Sequence, residues 1–157
     1  MTAHLLQLVR VGLCAALDAA RREATAALDG ARTEGTDRAA NRGERGAVTA
    51  QGFLSGAIAG RVAELEAALA HLDQLAPGPR AIGGPGALIQ VEDPDGVCTD
   101  VLIAPGAPGG PLPGAPDVLA VTPASPLGRA LTGARPGDER AVPRGGREVV
   151  LTVLDVR

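Results

Sequence analysis

The chain has no lysine, tryptophan or tyrosine, and its single aromatic residue is Phe53. Each absence removes a class of function. Without lysine, the glycine-rich stretches around Gly83 and Gly109 cannot be phosphate loops, which require a lysine at fixed spacing; they read as a linker and a loop. One phenylalanine cannot build a platform on which bases stack. Positive charge in excess is also missing. The 157 residues carry a net charge of -3 with a pI near 5.3, and all 15 basic residues are arginine. A general nucleic-acid binder draws its affinity from neutralised phosphates and is basic. Arginine without lysine, beside abundant Ala, Gly and Pro, reads as a GC-rich genome.

Cysteine is scarce. Cys14 and Cys98 fall in different proposed domains, which argues against a disulfide framework and for two buried thiols in a reducing cytoplasm. No apolar run reaches the ~20 residues that span a bilayer, and no basic cluster or clear cleavage site accompanies the first apolar residues. The expectation is a soluble cytoplasmic protein without a membrane partner.

What is present divides into two halves. In the first, Leu6, Leu13, Ala20 and Ala27 recur every seven residues, each followed four later by Arg10, Leu17, Ala24 and Ala31. This 4-3 alternation is the seam of a helix packed on another helix. A second seam runs through Ile58, Val62, Leu65, Leu69 and Leu72, with Leu54 ahead of it. Residues 33–49 between them are polar, interrupted by Gly35, Gly43 and Gly46, and carry no seam. An antiparallel hairpin with its tip near residue 41 satisfies both seams. Leu17 then faces Leu65, Leu13 faces Leu69, Ala20 faces Val62 and Ala24 faces Ile58. Alanines toward the tip bury fewer methylenes, at ~0.8 kcal/mol each, so that half is expected to be the less stable. About thirty helical residues at ~1.5 Å each give a rod of roughly 45 Å. Such a rod serves as an inserting arm or as a coiled-coil oligomerisation element.

Residues 76–86 are a Gly/Pro linker by composition. The second half turns to short β-type runs at 87–91 and 97–103, joined by Asp93-Pro94-Asp95-Gly96, whose residues suit a turn. Residues 105–116 show no strand pattern and are expected to be a mobile loop. A third strand is expected at 117–121. Ser125 then caps a short helix with Pro126 at its first position and Gly133 just past its end. Residues 140–142 and 149–156 close as a hairpin over Pro143-Arg144-Gly145-Gly146. The last strand is apolar on both sides and is expected to be central. The fold class is α+β: a helical hairpin over 1–76, a linker over 77–86, and over 87–157 a small antiparallel sheet with one helix.

Three segments carry a family resemblance: QGFLSGAIAGRVAELEAAL from Gln51, SPLGRALTGARPGD from Ser125, and PRGGREV from Pro143. In this order and at these separations they resemble the bacterial Gre-factor family. The resemblance implies an FKBP-like C-terminal domain docking at the rim of the RNA polymerase secondary channel, and a helical hairpin entering that channel. It implies a protein that is not itself an enzyme, holds no tight cofactor and acts as a monomer. At the family's hairpin tip, carboxylates help hold a magnesium ion in the polymerase active centre; Mg²⁺ favours hard oxygen ligands. The implied docking residues are Ser125, Pro126 and Arg129.

The tip departs from the family pattern. Where relatives read Gly-Asp-Leu-x-Glu-Asn, this chain reads Thr36-Asp37-Arg38-Ala39-Ala40-Asn41. Asp37 and Asn41 match, but the glutamate has become Ala40, which ligates nothing, and the next acid falls on Gly43. Arg38, Arg42 and Arg45 compete with a metal for Asp37. Glu34 shares a face with Asp37 at i,i+3 if that stretch is helical, and Glu44 is the other nearby acid. The expectation is a polymerase regulator with weak or no stimulation of transcript cleavage. The alternative is an active cleavage factor using Asp37 with Glu34 or Glu44, in indirect contact with nascent RNA.

Other constellations carry less. The FKBP-like domain holds no aromatic residue, so it lacks the aromatic-lined pocket that prolyl isomerisation needs. His4 and His71 are expected near the hairpin base and read as exposed helix residues. Cys14 is expected in the core. Arg21, Arg22 and Arg32 suit either extruded RNA or a solvated helix face.

Overall fold

The structure is a computed structural model that describes the backbone of residues 1–34, 42–76 and 78–157, and within these the side chains outside 31–55. Its elements are α1 (Thr2–Glu34), α2 (Arg42–Asp73), β1 (Leu88–Glu92), β2 (Cys98–Ile103), β3 (Gly110–Leu112), β4 (Ala115–Val121), α3 (Pro126–Leu131), β5 (Glu139–Arg144) and β6 (Arg147–Val156). The chain is α+β. It divides into two compact units, Met1–Leu13 with Ala68–Arg157, and Cys14–Ala67.

The unit Cys14–Ala67 is two helical segments. Leu17 and Ala20 are buried on α1, and Ala24 and Ala27 half-buried, as the 4-3 spacing requires. From α2, Ile58, Val62 and Leu65 are half-buried at the expected positions. Arg21 Nη2 lies 2.7 Å from Glu66 Oε1. The helix α2 begins earlier than its seam suggests, at Arg42, and runs through Gly43 and Gly46.

The other unit contains the helix ends and the sheet. At the base of α1 the buried stripe is Leu5, Val9 and Leu13, while Leu6 and Arg10 of the expected seam are half-buried. Arg10 forms an ion pair with Asp73, and Leu72 is buried beside it on α2. The shift by one residue has a physical cause: this part of α1 packs on a sheet loop as well as on α2. Leu8 and Leu13 approach Gly114 and Gly106 of that loop. By length and composition alone, Thr2–Gly30 is apolar enough to cross a bilayer, although Arg10 and Asp18 interrupt any continuous apolar run.

The sheet has six strands in the order β3-β4-β2-β1-β6-β5. It is mixed, correcting the expected all-antiparallel arrangement: β2 and β4 are parallel, with Asp100 opposite Val118 and Ile103 opposite Val121. The crossover between them is residues 104–114, most of which falls in the stretch 105–116 expected as a mobile, strandless loop. It contains β3, paired antiparallel to β4, and buries Ala104, Ala107 and Leu112. Register places Leu88 opposite Leu102 and Ile89 opposite both Val101 and Val156. Strand β6 is internal, between β1 and β5, but only Leu151, Val153 and Val156 are buried; Val150 and Leu154 stay exposed. The β5–β6 turn is Gly145-Gly146, with φ of +59° and +79°. Both residues need positive φ in a two-residue turn of this hand, which suits the pair to the strand twist.

One face of the sheet carries the main core, including Ile89, Val91, Val101, Ile103, Val121 and Val153, closed by Leu131 of α3. Alternation along the strands sends Leu88, Leu102 and Ala120 to the opposite face, where they too are fully buried. A six-residue helix is too short to persist alone. The burial of Leu131, worth about 2–3 kcal/mol, holds α3 to the sheet.

Candidate partner-docking cleft

Ser125 is the N-cap of α3, in extended conformation, with Pro126 following at the first helical position. Its Oγ accepts from Gly128 N–H at 3.0 Å and donates to the Thr122 carbonyl at 2.8 Å. Both functions of the hydroxyl are therefore taken by backbone, as the capping role demands. At the other end, Thr132 Oγ1 donates to the Gly128 carbonyl at 2.7 Å. Gly128 is buried because the chain passes close to it: a Cβ there would stand 2.1 Å from the Thr122 carbonyl oxygen.

The start of α3 forms one wall of a cleft of about 370 Å³. Ser125, Pro126 and Leu127 line that wall. The floor is Val91, Val101, Leu119, Val121 and Leu151 of the sheet. The opposite rims come from the β1–β2 turn, with Asp93 and Val97, and from the β5–β6 hairpin, with Val142, Pro143, Arg144 and Val149. Both hairpin ends lie at one end of the sheet because β1 and β6 are antiparallel neighbours. The lining is mostly aliphatic with a few polar groups at its edge, the composition of a recognition site.

Charge at the cleft is confined to its rim. Asp93 Oδ1 accepts from Asp95 N–H and Val97 N–H, each at 3.0 Å, and so holds its own turn. Arg144 is exposed and makes no ion pair among the described residues. Beyond the far end of α3, Asp138 Oδ2 accepts from Arg135 N–H at 3.0 Å and from Arg140 Nη2 at 2.8 Å. The Arg135 backbone bond, aided by Arg140, holds the Asp138 carboxyl below the usual carboxylate range against a smaller desolvation effect.

Of the residues singled out in the sequence, Ser125 and Pro126 meet in this cleft. Arg129 is exposed on α3 and does not line it. Asp37 and Asn41 lie outside the described residues. Glu34 and Glu44 have helical backbone, at the end of α1 and the start of α2, with side chains outside the description, as is also true of Gln51, Gly52 and Phe53. Cys14 and Cys98 are both exposed, correcting the expectation of buried thiols. Cys14 lies between buried Leu13 and Leu17 but off the stripe they form on α1, and Cys98 opens β2 beside a turn. His4 and His71 are exposed, and Arg21 is engaged with Glu66. Asp93, Val97 and Arg144 had no signal as site residues; only the strand register brings their two turns together at one end of the sheet.

No family model matches the chain, and no curated protein matches it. Three solved structures are similar along most of its length. The transcription factor Gfh1 is 21% identical, with 94% of this chain and 92% of that one covered and a TM-score of 0.42. GreA factor homolog 1 (Gfh1) of Thermus thermophilus is 23% identical, with 94% of each chain covered and a TM-score of 0.41. Thermus aquaticus Gfh1 is 21% identical, over 96% of this chain and 95% of that one, with a TM-score of 0.41.

Proposed function

We propose that the chain is a Gre-like regulator of transcription elongation that docks on RNA polymerase through the Ser125–Pro126 cleft. The hairpin over 1–76 is the part presented to the secondary channel, 87–157 is the docking module, and 77–86 joins them. The cleft carries this reading: the Ser-Pro segment that resembles the family's docking motif opens a helix whose first residues wall an aliphatic recess. Its hydroxyl is committed to backbone, so the recess is suited to binding rather than to nucleophilic chemistry. Arg129, exposed beside it, is a peripheral contact.

At the tip, Asp37 is one carboxylate where the family supplies two, because Ala40 has no ligand atom. Any magnesium is shared with the polymerase active centre, with no ion held by this chain alone. The consequence is modulation of transcription with weak or no stimulated cleavage, by a cytoplasmic monomer that is not an enzyme.

The test is binding to bacterial core RNA polymerase and cleavage of RNA in backtracked complexes. Binding that falls at least about tenfold in Leu127→Asp, a charge placed on the cleft wall, supports docking there. Binding unaffected by that change rejects the cleft. Strong cleavage that disappears in Asp37→Asn instead supports the active-factor alternative with Glu34 or Glu44, and a sedimenting dimer without polymerase affinity supports a coiled-coil oligomeriser.

A further inference from the structure

We infer that the crossover loop 104–114 is the seat on which the ends of α1 and α2 rest, and that Gly106 positions both helix ends on the sheet. The functional consequence rests on the reading that a hairpin is presented to polymerase; the geometry does not. Gly106 has φ of +66°, and a Cβ there would stand 2.6 Å from Leu13 Cδ2 and 2.9 Å from Ala68 Cβ. One residue thus meets α1 and α2 together, with its other side open to solvent. The Leu13 methyls can rotate away. The Ala68 Cβ cannot, because it is fixed to the helix backbone, so an added methyl must move the loop or α2.

A second contact gives the seat direction. At Gly114, φ is +88° and a Cβ would lie 3.1 Å from Leu8 Cδ2. Leu8 and Leu13 are five residues apart, ~7.5 Å along the helix axis. Two points on α1 and one on α2 constrain how the helix ends lie on the loop, which one point cannot.

The loop is stiff enough to serve. Pro105, Pro108, Pro111 and Pro113 each preset φ and reduce the freedom of the unfolded segment. Its backbone is tied down at Ala104 N–H to the Val121 carbonyl, 2.9 Å, and at Gly109 N–H to the Ala120 carbonyl, 3.0 Å. The seat is therefore an extension of the sheet, and a helix base resting on it inherits the sheet's rigidity. A glycine with this role acts through Leu13 and Ala68 and touches no partner itself.

Two variants test this from opposite sides: Gly106→Val enlarges the loop, and Ala68→Leu enlarges the helix while leaving the loop's φ alone. Spin labels on native, exposed Cys98 and on Gln7→Cys, in a Cys14→Ser background, report the separation of sheet and helix base. The unmodified seat should give one narrow distance distribution, and each folded variant a shifted or about twofold broader one. Affinity for core polymerase, which depends on the cleft, should stay within about twofold, while the effect on elongation falls about tenfold or more, as misplacement of a positioned group does. Unchanged distances in both variants overturn the proposal. So does a change confined to Gly106→Val, which signifies loop strain alone. If the wild-type chain does not bind polymerase at all, the channel reading fails while the distances still decide the seat.

Discussion

Arg21 Nη2 on α1 stands 2.7 Å from Glu66 Oε1 on α2, a contact across forty-five residues of chain. Both side chains are about half exposed, so water screens the pair. Arg21→Ala is expected to lower stability by only about 0.2–1 kcal/mol, and less at high salt. Leu17→Ala, four residues earlier and 7% exposed, should cost about 2–5 kcal/mol. Thermal denaturation at two salt concentrations separates the two; equal losses would mean that charge rather than burial holds this hairpin.

Removing the cap of α3 tests how the cleft wall is built. Ser125→Ala leaves the Gly128 N–H without its 3.0 Å acceptor and is expected to cost about 1 kcal/mol. Ser125→Asp, which can still accept that bond, should recover most of the loss in urea denaturation. Failure of the aspartate to recover it would assign the effect to the bond with Thr122, which requires a hydroxyl donor.

Gly128→Ala probes a different constraint at the same site. The added Cβ would meet the Thr122 carbonyl oxygen, backbone that has no rotamer to change. A loss of about 2 kcal/mol or more is expected, larger than that of the cap mutant. A neutral result in chemical denaturation would show that the Thr122–Ser125 turn yields.

Asp138 gives the fold an acid-sensitive tie. Its folded pKa is lowered, chiefly by the Arg135 N–H. The stabilisation is therefore present above the ordinary carboxylate value of about 3.9 and lost as pH falls through the lower folded value. Wild type should exceed Asp138→Asn in stability at pH 7, with the difference shrinking below about pH 4. A difference that grows on acidification would contradict this sign.

Much of the architecture was legible because local rules agreed with the tertiary outcome. The 4-3 apolar spacing marked Leu13, Leu17 and Ala20, and all three are buried. Ser125-Pro126 marked the start of α3, and Gly145-Gly146 the last hairpin. Residues 105–116 misled because proline and glycine suppress any strand pattern, yet β3 forms there on the edge of the sheet, where a missing N–H at Pro111 can face solvent. Cys14 misled because it falls on the helix flank, and the buried stripe through Leu13, Leu17 and Ala20 does not extend to that flank.

The candidate site was half legible. Ser125 and Pro126 could be found from a capping pattern. Asp93, Val97 and Arg144 sit on turns that read only as turns, and their convergence depends on the β1–β6 pairing, a contact between residues more than fifty positions apart.

Sequence alone determined the two long helices, most of the strands, and the short helix with its cap, since each depends on neighbours within a turn or two. Only the tertiary structure decided that β2 and β4 run parallel, that two distant turns and α3 enclose one aliphatic recess, and that Gly106 lies against both Leu13 and Ala68. Those arrangements follow from burial of both faces of a single sheet. That collective condition has no signature in any short stretch of chain.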